Sequence, residues 1–356
     1  MAINQDTLLF EHRFCWITLT LLTSLLVVNL AFATPQSQKP LQVIFVDVEG
    51  GQSTLFVTPT GDSLLIDTGW AGNESRDAKR IAAAAHQAGL KKIDYVLITH
   101  YHLDHVGGVP QLVKEIPVGT FIDHGQNREM SGDTLKVWQA YQAELATGKY
   151  KHLTVHPGDI LPVKGVDATV VSGDGNLISK PLPGAGEQNA ACKSSEQRAA
   201  DQTENARSLG IVMMFGKLKI VDLGDLTWDK EMQLMCPVNK LGRADIYIVS
   251  HHGWYQSGSP ALVDGLSPRV AIMDNGARKG GTPSAWDIIH QSPGLEDLWQ
   301  LHYSEEGGAA HNAPDSFLAN INGPDQGNYL KLSAWPDGHF EIFNSRTGTT
   351  KQYDAR

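Results

Sequence analysis

A chain of 356 residues, 41% of them hydrophobic, has material for one large domain or two small ones around a real core. Its formal net charge of −10 excludes tight, non-specific binding to duplex nucleic acid, because an acidic surface repels a polyanion. Without residues 1–33 the count is 37 acidic against 28 basic, or −9, so the exclusion stands.

The N-terminus reads as a secretory signal. Arg13 precedes an apolar run over 14–30, and Ala31-Phe32-Ala33 offers small residues where a signal peptidase reads. The run is short for a span. Cleavage after Ala33 is the expectation, which leaves a periplasmic or secreted chain with no membrane span. Cys15 falls inside that signal. Cys192 and Cys236 remain, as one disulfide or as two thiols.

Residues 34–40 read as a linker. Strands are expected over 41–48, 53–58 and 63–66, separated by turns at 49–52 and 59–62. Residues 75–88, rich in Ala, Lys and Arg and stopped by Gly89, predict a helix. The apolar, β-branched run 93–98 predicts a buried strand. A helix over 109–116, a short strand over 120–123 and an amphipathic helix over 134–147 follow, then strands over 153–161 and 166–171. Residues 172–204 are Gly, Pro, Ser, Gln and charges without period. They predict a long mobile loop, either a lid or a solvated insertion. Strands resume over 209–215, 218–223, 245–250 and 270–273. Helices are expected over 286–291 and 315–321, final strands near 330–334 and 339–343, and a tail over 346–356. One domain over 41–345, with strands then helices twice over, predicts an α/β fold of two sheets with helices outside.

The chemistry concentrates in Thr99-His100-Tyr101-His102-Leu103-Asp104-His105, directly after the strand at 93–98. Residues two apart in an extended chain point the same way. His100 and His102 can therefore share one metal ion, while Asp104 and His105, near a helix start, can face a second. Gly107 and Gly108 let the backbone pack close behind them. Imidazole with carboxylate favours Zn2+, with Mn2+ or Fe as the alternatives. Three more positions obey the same rule, a polar ligand type at the end of an apolar strand. They are Asp67 after Leu64-Leu65-Ile66, Asp225 after Leu223-Gly224, and His251 after 246–250. The turn over 275–281 carries Arg278 and Lys279 and free backbone N–H groups, a candidate cradle for an anionic substrate. His302 and His311 are isolated and read as structural, although they could line the same cleft.

With these residues in place the chain resembles the metallo-β-lactamase superfamily over about 41–345. The resemblance implies an αββα sandwich, two mixed β-sheets with helices on both outer faces and a dinuclear metal site at one edge. By position, His100 and His102 resemble the ligands of the first ion, and Asp104 and His105 those of the second. Asp225 resembles the carboxylate that bridges both, His251 the last histidine, and Asp67 a residue that orients the cluster from behind. The chain departs from the family at one place. No histidine occurs between His156 and His251, and the expected position reads Asn205-Ala206-Arg207-Ser208. That pattern, with Gly224-Asp225, His251-His252-Gly253 and the opening stretch 45–53, looks like the hydrolase domain of DNA-uptake competence proteins. Water, Asn205 or a substrate oxygen would then complete the first ion.

The implied chemistry is hydrolysis. Two ions about 3.5–4 Å apart bring the pKa of a shared water toward neutrality and stabilise the oxyanion that forms. Asp104 and Asp225 would hold the ions, and His252 would donate a proton or touch the substrate. The expected partner is a small molecule, anionic if Arg278 and Lys279 bind it. A phosphoester or phosphodiester is the leading substrate class. A cyclic amide or ester, as in lactamases and lactonases, is the alternative, and a catalytically silent metal-dependent binding protein is the third reading.

Overall fold

The computed structural model describes Met1, residues 39–323 and residues 325–355. The signal expected over 1–33 lies outside the described residues, as does most of the linker. In chain order the first half builds β1 (Leu41–Phe45), β2 (Thr54–Val57), β3 (Ser63–Ile66), α1 (Arg76–Gln87), β4 (Ile93–Leu97), α2 (Leu103–Val106), α3 (Val109–Glu115), β5 (Val118–Asp123), α4 (Gly132–Leu145) and β6 (Lys151–Thr154). The second half builds β7 (Asp167–Gly173), β8 (Asn176–Leu177), β9 (Gly210–Phe215), β10 (Leu218–Asp222), α5 (Trp228–Met235), β11 (Ile246–Ile248), α6 (Pro260–Leu266), β12 (Val270–Met273), α7 (Pro283–His290), β13 (Asp297–His302) and β14 (Leu318–Asn320). Three last strands, β15 (Leu330–Ala334), β16 (Phe340–Asn344) and β17 (Thr350–Tyr353), return to the first sheet.

Both sheets are mixed. The first runs β17-β16-β15-β1-β2-β3-β4-β5-β6, and the second β14-β13-β12-β11-β10-β9-β7-β8. Strands β3 to β6 are parallel, as are β10 to β14. The period of two along each strand sorts side chains between layers. Leu41, Val43, Leu64 and Ile66 meet Ile220, Ile246, Val270 and Ile272 in the core between the sheets. Ile44 and Leu65 face the other way, onto Ala78 and Ile81 of α1, Leu112 of α3 and Tyr141 of α4. Ala271 and Met273 do the same beneath Met232 of α5, Leu262 of α6 and Ile289 of α7. This is the expected αββα layering.

Four expectations need correction. The strand expected over 153–161 stops at Thr154, because the chain turns at 156–159, where Asp159 accepts the His156 N–H, and only Ile160 bridges back to Thr169. The helix expected over 315–321 is a single turn followed by β14, whose Leu318 and Asn320 pair with β13. The tail contains an edge strand, β17, with Tyr353 buried and stacked on Phe340 at 4.6 Å. Finally, the mobile loop of 172–204 is a fastened strap. Its Leu182 N–H donates to Lys240 O, Asn189 donates to Pro237 O and Ala261 O, and Arg198 lies 3.5 Å over Trp228. A Cys192–Cys236 disulfide closes the fastening.

Candidate metal centre

Five strands deliver the site from the same kind of position, the C-terminal end of a parallel strand, where α/β sheets leave side chains free of the ladder. After β3 comes Asp67, after β4 His100, after β10 Asp225, after β11 His251 and His252, and after β12 Asp274. Asp67, His251 and His252 all hold left-handed backbone, with φ of 58, 53 and 55. Non-glycine residues accept that strain chiefly where the surroundings impose it. Close backbone approach does so here. A Cβ on Gly108 would stand 2.1 Å from Thr68 O, and one on Gly280 would stand 2.1 Å from His252 O. The close packing expected behind the histidine cluster is thus met at Gly108.

Asp104, His105, Asp225 and His252 are all buried and close on one point. His105 Nε2 lies 3.3 Å from both Asp104 Oδ2 and Asp225 Oδ2, and 3.2 Å from His252 Nε2. His252 Nε2 lies 3.3 Å from Asp104 Oδ2 and 3.5 Å from Asp225 Oδ1. Ligand atoms about 2.0–2.1 Å from a tetrahedral centre sit about 3.3–3.4 Å apart. These spacings therefore fit a divalent ion. The sequence makes His251 the metal ligand of the pair and leaves His252 to donate a proton or touch the substrate, yet it is His252 that stands in this group.

His251 stands outside this group of four but also reaches Asp225. Its Nε2 is 3.3 Å from Asp225 Oδ2 and 3.4 Å from Asn205 Nδ2. His100 reaches the same oxygen at 3.8 Å, and its ring lies 4.7 Å from that of His102. The five other predicted metal-binding residues and Asn205 are thus brought together around Asp225.

A second layer holds the rings. Asp67 Oδ2 lies 2.7 Å from His105 Nδ1 and accepts from Thr99 Oγ1, while its Oδ1 takes the Thr99 N–H, the orienting role expected of it. Asp274 Oδ1 lies 3.3 Å from His252 Nδ1, and Glu129 Oε2 lies 3.2 Å from His102 Nε2. With Nε2 engaged by Glu129, Nδ1 is the His102 atom left for an ion. Sequence reasoning missed Asp274 and Glu129. Asp274 could have been found, since it ends the apolar run of β12 by the rule already in use. Glu129 lies in a loop and carries no such signal.

Charge follows this geometry. Burial and Lys279 oppose a proton on His252, yet Asp225, Asp274 and Asp104 hold its pKa up at about 9 among the protein's own charges. Burial lowers His251 to about 4. The hydrogen bond with His102 pulls Glu129 down to about 2. Burial works against ionised Asp104, but Lys279 and His105 keep it well below the usual carboxylate range.

The cationic turn splits. Lys279 reaches Asp104 and lies 5.0 Å over Trp70. Arg278 is exposed and pairs with Glu305 at 3.0 Å, away from the cluster. The free N–H groups expected there are partly used: Gly276 donates to Lys279 O and Gly281 to His252 O. His302 does not line this cleft. Its Nε2 sits 2.7 Å from Asp47 Oδ1 in a group with Glu49, and Arg80 pairs with both carboxylates. His311 packs on Trp286.

Residues 47–187 match the family model described as the metallo-beta-lactamase superfamily. The chain is similar to ComE operon protein 3 of Bacillus subtilis (strain 168), 26% identical over 265 residues, which is 70% of this chain and 30% of that protein. It is similar to an atrochrysone carboxyl ACP thioesterase of Pseudocercospora fijiensis (strain CIRAD86), 31% identical over 111 residues, 31% of this chain and 32% of that one. The match thus spans about a third of each relative's length. Among solved structures it resembles the metallo-beta-lactamase fold protein YhfI from Bacillus subtilis, at 14% identity and a TM-score of 0.41, over 82% of this chain and 99% of that chain.

Proposed function

From the match of residues 47–187 to the metallo-beta-lactamase superfamily model, we propose that the chain is a metal-dependent hydrolase acting on a phosphoester, most readily a phosphodiester, outside the cytoplasm. The observation that carries this substrate class is Lys279. It holds an ammonium against Asp104 at the rim of the cluster, beside Trp70, where an anionic oxygen would meet it.

Two divalent ions held there would supply a water nucleophile at neutral pH and positive charge opposite the developing oxyanion. Zinc suits the imidazole and carboxylate donors, as manganese and iron also do. The protein's own part is positioning. Asp225 serves both sides, Asp67 and Asp274 fix two rings with Nε2 inward, and Asp104 stays ionised. Lys279 then orients the substrate's anionic group.

The extracytoplasmic location rests on the signal-like residues 1–33 and on the Cys192–Cys236 disulfide, a bond that persists in oxidising compartments. Among the described residues no helix is long and apolar enough to cross a membrane. The test is turnover by metal-loaded protein of bis-p-nitrophenyl phosphate and of nucleotide and phospholipid head-group diesters. Cleavage is expected, with Lys279→Ala lowering kcat/KM about tenfold; no cleavage of any diester overturns the proposal.

A second reading is acyl hydrolysis of a thioester or a cyclic ester or amide, supported by the similarity to a thioesterase. Turnover of an acyl thioester or of nitrocefin without diester cleavage would select it. Full metal content with no turnover of either class would select a binding protein.

A further inference from the structure

Between His156 and His251 the sequence has no histidine where the resemblance expects a ligand of the first ion, and the turn after β11 brings two rings to Asp225. His251 and His252 are consecutive, and both have left-handed φ. The result is that both rings reach the same carboxylate. His252 Nε2 stands at Asp225 Oδ1 and His251 Nε2 at Asp225 Oδ2, with the ring centroids 6.2 Å apart and the planes at 72°.

The side that His251 faces is unfinished in hydrogen-bonding terms. His100 Nε2 and Asn205 Oδ1 are buried, and neither has a hydrogen-bond partner among the described residues. Buried polar atoms are nearly always satisfied. Orphans gathered around one carboxylate mark a place for a cation. His251 is already oriented toward it. Its Nδ1 lies 3.3 Å from Ser257 Oγ, which leaves Nε2 as the inward atom. Its 3.3 Å spacing from Asp225 Oδ2 equals that of His105, which belongs to the other group.

We propose that His251 is the third imidazole of the first ion, replacing the missing histidine, so that the His251-His252 pair divides across Asp225 with one ring to each ion. Asn205 is then the neighbour of that ligand and not its substitute. The inference rests on the two-ion reading of the site and is independent of the substrate class.

The experiment counts metal in the full chain after loading with cobalt, for wild type and for H251A, H251N, H252A and N205A, with folding checked by circular dichroism. Asparagine tolerates left-handed backbone, so H251N serves if H251A does not fold. Two ions are expected in wild type and N205A, and one in each histidine variant. H251C in the cobalt protein should add a thiolate-to-cobalt charge-transfer band in the near ultraviolet, as should the control H252C. Two ions retained in both His251 variants, or no band in folded H251C while H252C shows one, would overturn the inference. Fewer than two ions in wild type would overturn it together with the two-ion reading. Two ions falling to one, with no diester cleaved, would leave the inference standing and overturn only the proposed substrate.

Discussion

On one side of Asp225, His105 and His252 are backed by the carboxylates of Asp67 and Asp274, and their inward nitrogens are 3.2 Å apart. On the other side, His100 and His251 are backed by the hydroxyls of Thr99 and Ser257, and His100 stands 3.8 Å from Asp225. A carboxylate behind an imidazole raises its basicity and fixes its tautomer, and a neutral hydroxyl does so less. On the two-ion reading proposed above, one pocket is set before an ion arrives, and the other is completed by it. The difference also separates two parts of the chain. Strand ends supply rings to both sides, and only the loose side adds Asn205, next after the strap, and Glu129 from the loop before α4.

The largest effect should come from removing what the two sides share. Asp225→Ala is expected to lower metal content from near two ions per chain to one or fewer and to abolish hydrolysis, measured by metal analysis and a diester assay. Next, D67N and D274N should each weaken the tighter ion about 10- to 100-fold, read by competition with a chelating dye, with the looser ion less affected. The reverse pattern would erase the distinction. Glu129→Gln sharpens it from the other side. Loss of the carboxylate from His102 should weaken the looser ion about tenfold and leave the tighter one near its wild-type affinity.

The gentlest test is a pH slope. Glu231 of α5 accepts the Gly258 and Ser259 N–H groups, just past Ser257, and burial raises its pKa to about 7. Its folded pKa exceeds the unfolded value of 4.5, so the native state holds the proton longer. That contribution is fully present below pH 4.5 and is lost as pH climbs through 7, with a slope of at most about 1.4 kcal/mol per unit. Thermal melts across this window should show the decline in wild type and a shallower one in Glu231→Gln.

The cluster was legible because it obeys one local rule, a ligand side chain following an apolar strand. That rule found His100, Asp225 and the His251-His252 turn from sequence. It could not divide the two neighbouring histidines, because a left-handed turn reverses the alternation on which face assignments depend. Asp274 was passed over because an aspartate after a strand is also an ordinary turn former. Glu129 meets His102 across 27 residues through tertiary packing alone. The fold followed the same division. Buried strands such as β3 and β12 were read to the residue from their apolar runs. The edges failed: β6 is exposed along its whole length, and β17 alternates with a single buried residue, Tyr353.

The bond between Cys192 and Cys236 closes a covalent ring that contains Asn205, both strands of the β9–β10 pair and Asp225. The stretch 196–203 within that ring lies largely at the surface, where proteases cut first. A single nick there opens the ring without releasing a fragment, so the shared carboxylate stays tethered to the rest of the molecule until the sulfurs are reduced. In surroundings rich in proteases and poor in reductants, the protein would outlast the integrity of its own backbone.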